Sequence, residues 1–387
     1  MPEFFPFFII LLAAVLFSSL FERVRVPWVA ALIVGGIIVG PYGFGLFEPD
    51  STITFLAHVG LVFLMFMAGL ETRFFESQGV KYKIAVVAAF SALIPAAVGA
   101  GVGLLFGYSP AAVILLGVIF MASSVALLVP SFQKMGLFDS VLGKTIIGST
   151  VIVDSAALIL LSVLLQIQGT TSFLHIFLFY PFLLVTLLAL AWLIPRIRWA
   201  LFSNYAEEQD LFERELRFVL LILVGLVVFF EFVGLHAIIA GFFAGLVLSR
   251  SIQSRILKAK LHAISYGFFI PVFFVTLGAN TNIGVFWEVS GALVLTLAVL
   301  VSSMGAKFGS GFAAGKLVGF TNRESALLGA ATAPSLSTTL AVAFLGFGQG
   351  IIDGGLLAAI VALSVTTSIV APLTVGVLGR TLTSQRV

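Results

Sequence analysis

Apolar stretches, each near the roughly 20 residues a helix needs to cross a bilayer, follow one another along this chain, and almost all charge is confined to the short gaps between them. They lie near 4–21, 27–46, 52–70, 83–107, 110–130, 143–168, 172–194, 214–233, 236–250, 262–279, 287–316, 324–347 and 353–379. No water-soluble shell can be built around them. The 387 residues are 60% hydrophobic and 10% charged, with a mean hydropathy of +1.20, whereas a soluble domain carries about 25% charged residues. The strand alternation of a membrane β-barrel is absent. The expected fold class is therefore an all-α polytopic membrane protein of about thirteen transmembrane helices, surrounded by lipid.

The charges sort by gap. Alternate gaps hold Arg23 and Arg25; Arg73, Lys81 and Lys83; Lys134 and Lys144; Arg196, Arg198, Arg214 and Arg217; Arg250, Arg255, Lys258 and Lys260; Lys316 and Arg323; and Arg380 and Arg386. The intervening gaps contain only acids, namely Glu48, Asp50, Glu288 and Asp353. Positive charge stays on the cytoplasmic side, which predicts a cell (inner) membrane protein with its N-terminus outside and its C-terminus in the cytoplasm. Arg23 and Arg25 follow the first apolar run and no basic residue precedes it. That order is the reverse of a cleaved signal peptide, so the run is read as a spanning helix. The net charge of +3 and the basic gaps act as orientation signals, not as a nucleic-acid footprint, and the absence of cysteine removes thiolate and disulfide chemistry. The polar segment 196–217 is expected to be a cytoplasmic linker between two halves of a single membrane domain, 1–387. A regulatory cytoplasmic domain or subunit beyond this chain stays open.

Two ionisable residues remain in the middle of apolar spans, Asp154 and Lys307. An unpaired charge at the bilayer centre costs about 3 kcal/mol on insertion scales, so such residues mark a cavity, an ion path or a buried pair. A salt bridge joining two helices is one reading. The other is exchange chemistry, because a carboxylate offers hard oxygen to a cation when ionised and holds a proton when neutral. Glu231 lies near a span end and is read as interfacial.

Two spans are interrupted in matching ways. The fifth carries Ser123 and Ser124 at mid-depth; the twelfth carries Pro334, with Thr332, Ser335 and Ser337 around it. Proline removes a backbone donor and breaks a helix, and hydroxyls with freed carbonyls can line an ion cavity. The two spans fall at equivalent positions in five-helix units 2–6 and 9–13, roughly 27–168 and 236–379. An odd number of spans separates them, so the units are predicted to be inverted repeats, whose paired broken helices point to a transport site. Close helix packing through small residues is the competing explanation. Packing is also the reading preferred for the glycine-rich stretch 35–45, which lacks the Lys-Ser/Thr ending of a phosphate loop. The histidines, His236 included, show no metal spacing, and no nucleophile-base arrangement marks an enzyme.

The strings LIVGGIIVGPYGFGLF, FLAHVGLVFLMFMAGLETR, MASSVALLVPSFQKMGLFDSVLGKTIIGSTVIVDSAAL, FFIPVFFVTLGANTNI and AKFGSGFAAGKLVGFTNRESALLGAATAP resemble, in order and across nearly the whole chain, the monovalent cation:proton antiporter-2 family. That family includes bacterial sodium/proton antiporters and the membrane domains of potassium efflux antiporters. The resemblance implies a dimerisation domain and a core domain with two crossing broken helices, a homodimer, and elevator-like alternating access exchanging Na+ or K+ for H+; nothing in the sequence indicates an organic cofactor. It implies that Asp154 is the ion- and proton-binding acid, with Lys307 its charge partner. Ser123 and Ser124 match the unwound stretch of the first crossing helix, and Pro334 and Ser335 fall at the second break. Thr150, one turn before Asp154 and on the same face, is a further ligand candidate. Electrogenic sodium/proton members carry two adjacent acids where this chain has Val153-Asp154, so electroneutral 1:1 exchange is expected. The rival readings are a channel-like cation path and a sodium-coupled transporter of organic solutes on a similar inverted-repeat scaffold.

Overall fold

The computed structural model describes residues 4–22, 27–71, 80–124, 132–133, 135–168, 173–202, 213–249, 252 and 254–383. Arg23, Arg25, Arg73, Lys134, Arg250, Arg386 and residues 203–212 of the expected linker lie outside the described residues. The described elements are helical: α1 (Phe5–Glu22), α2 (Trp28–Val39), α3 (Ser51–Glu71), α4 (Lys81–Leu105), α5 (Pro110–Met121), α6 (Val141–Gln168), α7 (Phe173–Phe202), α8 (Arg214–Phe232), α9 (Ala237–Leu248), α10 (Arg255–Ile264), a π-turn (Ser265–Phe269), α11 (Ile270–Ala279), α12 (Val285–Glu288), α13 (Ala292–Leu317), α14 (Asn322–Thr332), α15 (Ser337–Gly348) and α16 (Gly354–Thr383). Among the described residues, 8 helical stretches are long and apolar enough to cross a membrane, and α1, α2, α5 and α9 are shorter apolar helices.

The chain forms two compact units. The larger comprises Leu12–Glu48, Phe74–Leu161 and Leu277–Val387; the smaller comprises Met1–Leu11, Pro49–Arg73 and Ser162–Thr276. Each unit draws on both expected repeats, so the repeat boundary in sequence is not the boundary between compact bodies.

In the larger unit, glycine sets the approach of two helix pairs, α4 with α5 and α13 with α14. A Cβ added at Gly99 of α4 would lie 2.6 Å from the Leu116 carbonyl oxygen of α5, and one at Gly311 of α13 would lie 2.7 Å from Gly329 Cα of α14. One turn along, Gly103 faces Val113 and Gly315 faces Ser325. Without lipid-versus-water contrast to drive helices together, such backbone proximity supplies the packing energy. Stretch 35–45 behaves likewise: a Cβ at Gly40 would fall 2.6 Å from Ala279 Cα, and one at Gly278 would fall 2.1 Å from the Ile33 oxygen. The helix there ends at Val39, earlier than the expected span 27–46, and residues 41–44 turn back on it through Phe44 N–H to the Ile38 carbonyl at 2.7 Å.

The two ends of the larger unit differ in charge. At one end the Lys83 ammonium donates to the Val318 carbonyl at 2.9 Å and sits 4.5 Å from the centre of the Phe320 ring, joining two of the basic gaps over a core of Phe132, Leu142, Ile146, Leu327 and Leu328. At the other end α12 and the start of α16 meet, Val285 beside Gly355, in the gaps that carry Glu288 and Asp353. There burial, and then the charge of Asp353, push the Tyr108 hydroxyl up to about 12.

The smaller unit packs α3 against α9 by the same device. Added Cβ atoms at Gly69 and Gly245 would each fall 2.1 Å from a carbonyl oxygen of the facing helix, Phe242 and Phe66 respectively. Two expected boundaries move here. The span expected over 262–279 begins at Arg255, because the Ser254 hydroxyl caps Leu257 N–H at 3.2 Å, Leu257 and Leu261 bury one face, and Lys260 on the polar side pairs with Glu213 at 2.7 Å. The span expected over 172–194 continues past Pro195 to Phe202, with Arg196 folded back on Trp192, its guanidinium 3.7 Å from the ring.

Candidate functional site

α5 stops at Met121 because the next backbone donors are taken by other elements. Ala122 turns to an extended conformation (φ −61°, ψ 134°). The Ser123 N–H then donates to Oδ1 of Asp154 at 3.0 Å, and the Ser124 N–H to the Pro334 carbonyl at 2.8 Å. Residues 125–131 lie outside the described residues. At the second break α14 ends at Thr332, Ala333 keeps helical backbone (φ −69°, ψ −33°), and the chain leaves the helix beyond it, Pro334 bringing no N–H of its own, until α15 restarts at Ser337 after Leu336 (φ −135°, ψ −90°).

The two breaks are bonded to each other. Besides the Ser124–Pro334 contact, the Ser123 hydroxyl donates to the Thr332 carbonyl at 2.8 Å. In an apolar surrounding an unmade hydrogen bond is costly, so each interruption supplies the partner that the other lacks. The Lys307 ammonium, on α13 and 1% exposed, donates to the Ala122 carbonyl and to the Ser335 hydroxyl. It thereby places a positive charge at the C-terminal end of α5, where unsatisfied carbonyls concentrate negative charge. The Thr332 hydroxyl lies 3.2 Å from the Lys307 carbonyl and 3.0 Å from that of Gly329.

Asp154 and Lys307 therefore hold consecutive residues of one break, Ser123 and Ala122; among the described residues no nitrogen–oxygen contact within 4.0 Å joins them, and their opposite charges act on each other across the break. The direct salt bridge considered from the sequence is replaced by two separate attachments, because a main-chain donor and a main-chain acceptor at the break satisfy the opposite charges individually. Asp154 keeps part of its surface exposed and retains Oδ2 and further lone pairs beyond its bond to Ser123. Thr150, four residues earlier on α6, has a buried hydroxyl with no hydrogen-bond partner among the described residues. Val153 is buried beside them.

All seven residues singled out from the sequence (Ser123, Ser124, Thr150, Asp154, Lys307, Pro334 and Ser335) lie in the larger unit. Six are joined through the bonded breaks, and Thr150 is placed on the Asp154 face by helical register. Sequence reasoning did not single out Thr367 of α16, whose hydroxyl oxygen accepts the Ser335 N–H at 3.2 Å. The hydroxyl run Ser364, Thr366, Thr367, Ser368 in an otherwise apolar span was the available signal.

Successive apolar helices, two of whose interruptions are bonded to one another with an acid and a lysine attached at the junction, describe a multi-pass membrane protein. The family described as sodium/hydrogen exchanger, transmembrane, matches residues 8–381, and the chain belongs to that family. It is 32% identical over 379 residues to the probable Na(+)/H(+) antiporter 3 of Methanocaldococcus jannaschii, covering 96% of this chain and 95% of that one. To the Na(+)/H(+)-K(+) antiporter GerN of Bacillus cereus it is 28% identical over 374 residues, 95% and 94% of the two chains. Its fold superposes on the sodium proton antiporter MjNhaP1 of Methanocaldococcus jannaschii with a TM-score of 0.71 over 97% of each chain, at 18% identity.

Proposed function

We propose that this chain is a secondary transporter exchanging a monovalent cation, Na+ or K+, for H+, with Asp154 holding either the cation or the proton. The observation that carries the reading is the state of the Asp154 carboxyl group, which is anchored by one backbone N–H, partly exposed, and not in direct contact with the lysine attached to the neighbouring residue. A carboxylate tied up by an ammonium would have to break that pair for every ion bound; this one does not. Thr150 supplies a second hard oxygen on the same face, and the Lys307 charge limits the site to one net positive charge at a time. Cation and proton then compete for a single carboxylate, which gives one-for-one, electroneutral exchange. Support for alternating access by movement of one body comes from the bonded breaks, which tie the site into the larger unit as a whole. A homodimer, with the basic gaps and the C-terminus on the cytoplasmic side of the cell membrane, completes the reading.

The test is purified protein in liposomes containing a pH-reporting dye, given Na+ and then K+, with Asp154→Asn alongside. The expected outcome is proton movement driven by at least one cation in the wild type and none in the variant, with no dependence of rate on an imposed membrane potential. Proton movement in neither case would remove antiport and favour a channel or an organic-solute carrier. A rate that follows the potential would remove the 1:1 ratio alone.

A further inference from the structure

The Lys307 ammonium reaches the second break through one side chain, the Ser335 hydroxyl, and Ser335 is not held by a helix. It lies between the end of α14 and the start of α15, where Leu336 has φ −135° and ψ −90°. Its backbone N–H bonds to no main-chain carbonyl among the described residues. The structure gives it one partner, the Thr367 hydroxyl oxygen at 3.2 Å, on α16. That hydroxyl donates its own proton to the Leu363 carbonyl at 2.8 Å, which fixes its lone pairs toward the break. Thr367 is fully buried, as is Ser335, so water does not substitute for either partner.

We infer that Thr367 is a positioning residue for ion exchange: by holding the Ser335 backbone, it holds the hydroxyl that receives the Lys307 ammonium. The inference rests on the antiport reading above and adds α16 to the parts of the fold that set the site. The sequence of contacts runs from the α16 backbone at Leu363, through Thr367, to Ser335, to Lys307, to Ala122 and so to the residue bonded to Asp154. Without the Thr367 oxygen the Ser335 N–H is a buried donor with no acceptor, and the break must shift to find one. The ammonium then loses or misplaces its hydroxyl ligand. A hydrogen bond to a charged group is worth about a tenfold change in an equilibrium, or somewhat more, so cation and proton compete at Asp154 against a displaced positive charge.

Thr367→Val keeps the shape and removes the oxygen; Thr367→Ser keeps the oxygen. Cation-driven proton flux in liposomes is measured for both, with KM and maximal rate taken at several pH values, together with the thermal unfolding midpoint in detergent. Thr367→Val is expected to change the KM for the cation about tenfold and to move the pH profile, while Thr367→Ser behaves as wild type. Because Thr367 acts through Ser335, adding Thr367→Val to Ser335→Ala is expected to change nothing further, a non-additivity that a packing role would not produce. The inference is overturned if folded Thr367→Val has wild-type KM and pH profile, or if its effect is the same size with Ser335→Ala present as without it. Should Thr367→Val not fold, Thr367→Ala carries the same comparison. A wild type that moves no protons with either cation refutes the antiport reading itself, an outcome distinct from either of these.

Discussion

Replacing Asp154 by asparagine separates ion binding from folding. The amide keeps an oxygen where Oδ1 accepts the Ser123 N–H at 3.0 Å, so the attachment of α6 to the first break survives. The negative charge is lost, and with it the energetic cost of holding an ionised carboxylate in surroundings that offer it one hydrogen bond. A buried charge is more expensive than a buried amide, so in cation-free alkaline buffer the variant is expected to unfold at the wild-type temperature or above it. Cation changes the comparison. A ligand that binds only the folded state stabilises it by about 2.7 kcal/mol at 100 times its Kd. The wild type should therefore gain several degrees in unfolding midpoint on titration with the transported cation, and Asp154→Asn should gain none. Intrinsic fluorescence or a thiol-free thermal-shift readout in detergent, run against Na+, K+ and a large organic cation as ionic-strength control, gives both numbers in one experiment. Equal cation stabilisation of variant and wild type would place the binding oxygen elsewhere. A variant that unfolds far below the wild type without cation would make Asp154 a structural residue and refute the argument from its single bond.

Three further outcomes follow from particular contacts. Ser123→Ala removes the hydroxyl that bonds the Thr332 carbonyl at 2.8 Å and leaves a buried acceptor unsatisfied, costing about 1–3 kcal/mol; a lowered unfolding midpoint with an otherwise intact oligomer profile checks it. Gly311→Leu drives a side chain into Gly329 Cα, 2.7 Å from where its Cβ must sit, and since backbone rather than a flexible side chain is in the way, overpacking of about 1–3 kcal/mol or more should appear as loss of monodisperse protein on size exclusion. The Tyr108 hydroxyl, pushed up to about 12 by burial and by Asp353, should stay protonated in the folded protein at pH 11 by ultraviolet difference absorbance. Because its folded pKa lies above the unfolded value of about 10, the stability it contributes is complete below pH 10 and falls as pH rises from 10 toward 12, a loss that Asp353→Asn should reduce.

Much of the membrane architecture was legible without coordinates, and for a physical reason. A bilayer sets one length scale and excludes unpaired charge, so apolar runs and the gaps between them report helix positions directly, as α3, α4, α6 and α13 illustrate within a few residues of their expected bounds. The same exclusion made Asp154 and Lys307 conspicuous, and the proline rule located the second break at Pro334. Boundaries failed where amphipathic turns carry charge on one face, as in α10, because hydropathy averages over the face that Leu257 and Leu261 bury.

What only the tertiary structure decided is which partner each polar group takes. Sequence places an acid and a lysine in two spans and suggests that they meet; the fold instead gives the acid to the Ser123 N–H and the lysine to the Ala122 carbonyl and Ser335 hydroxyl. Main-chain donors and acceptors are identical at every residue but proline, so the letters do not mark which partner each of them takes at a break. Thr367 was hidden for the same reason, since its role depends on a backbone N–H 32 positions away. Chain composition determines that this protein lives in lipid and where its charges must be hidden; the pairing of those charges is a property of three-dimensional register, settled only when two interrupted helices lie against each other.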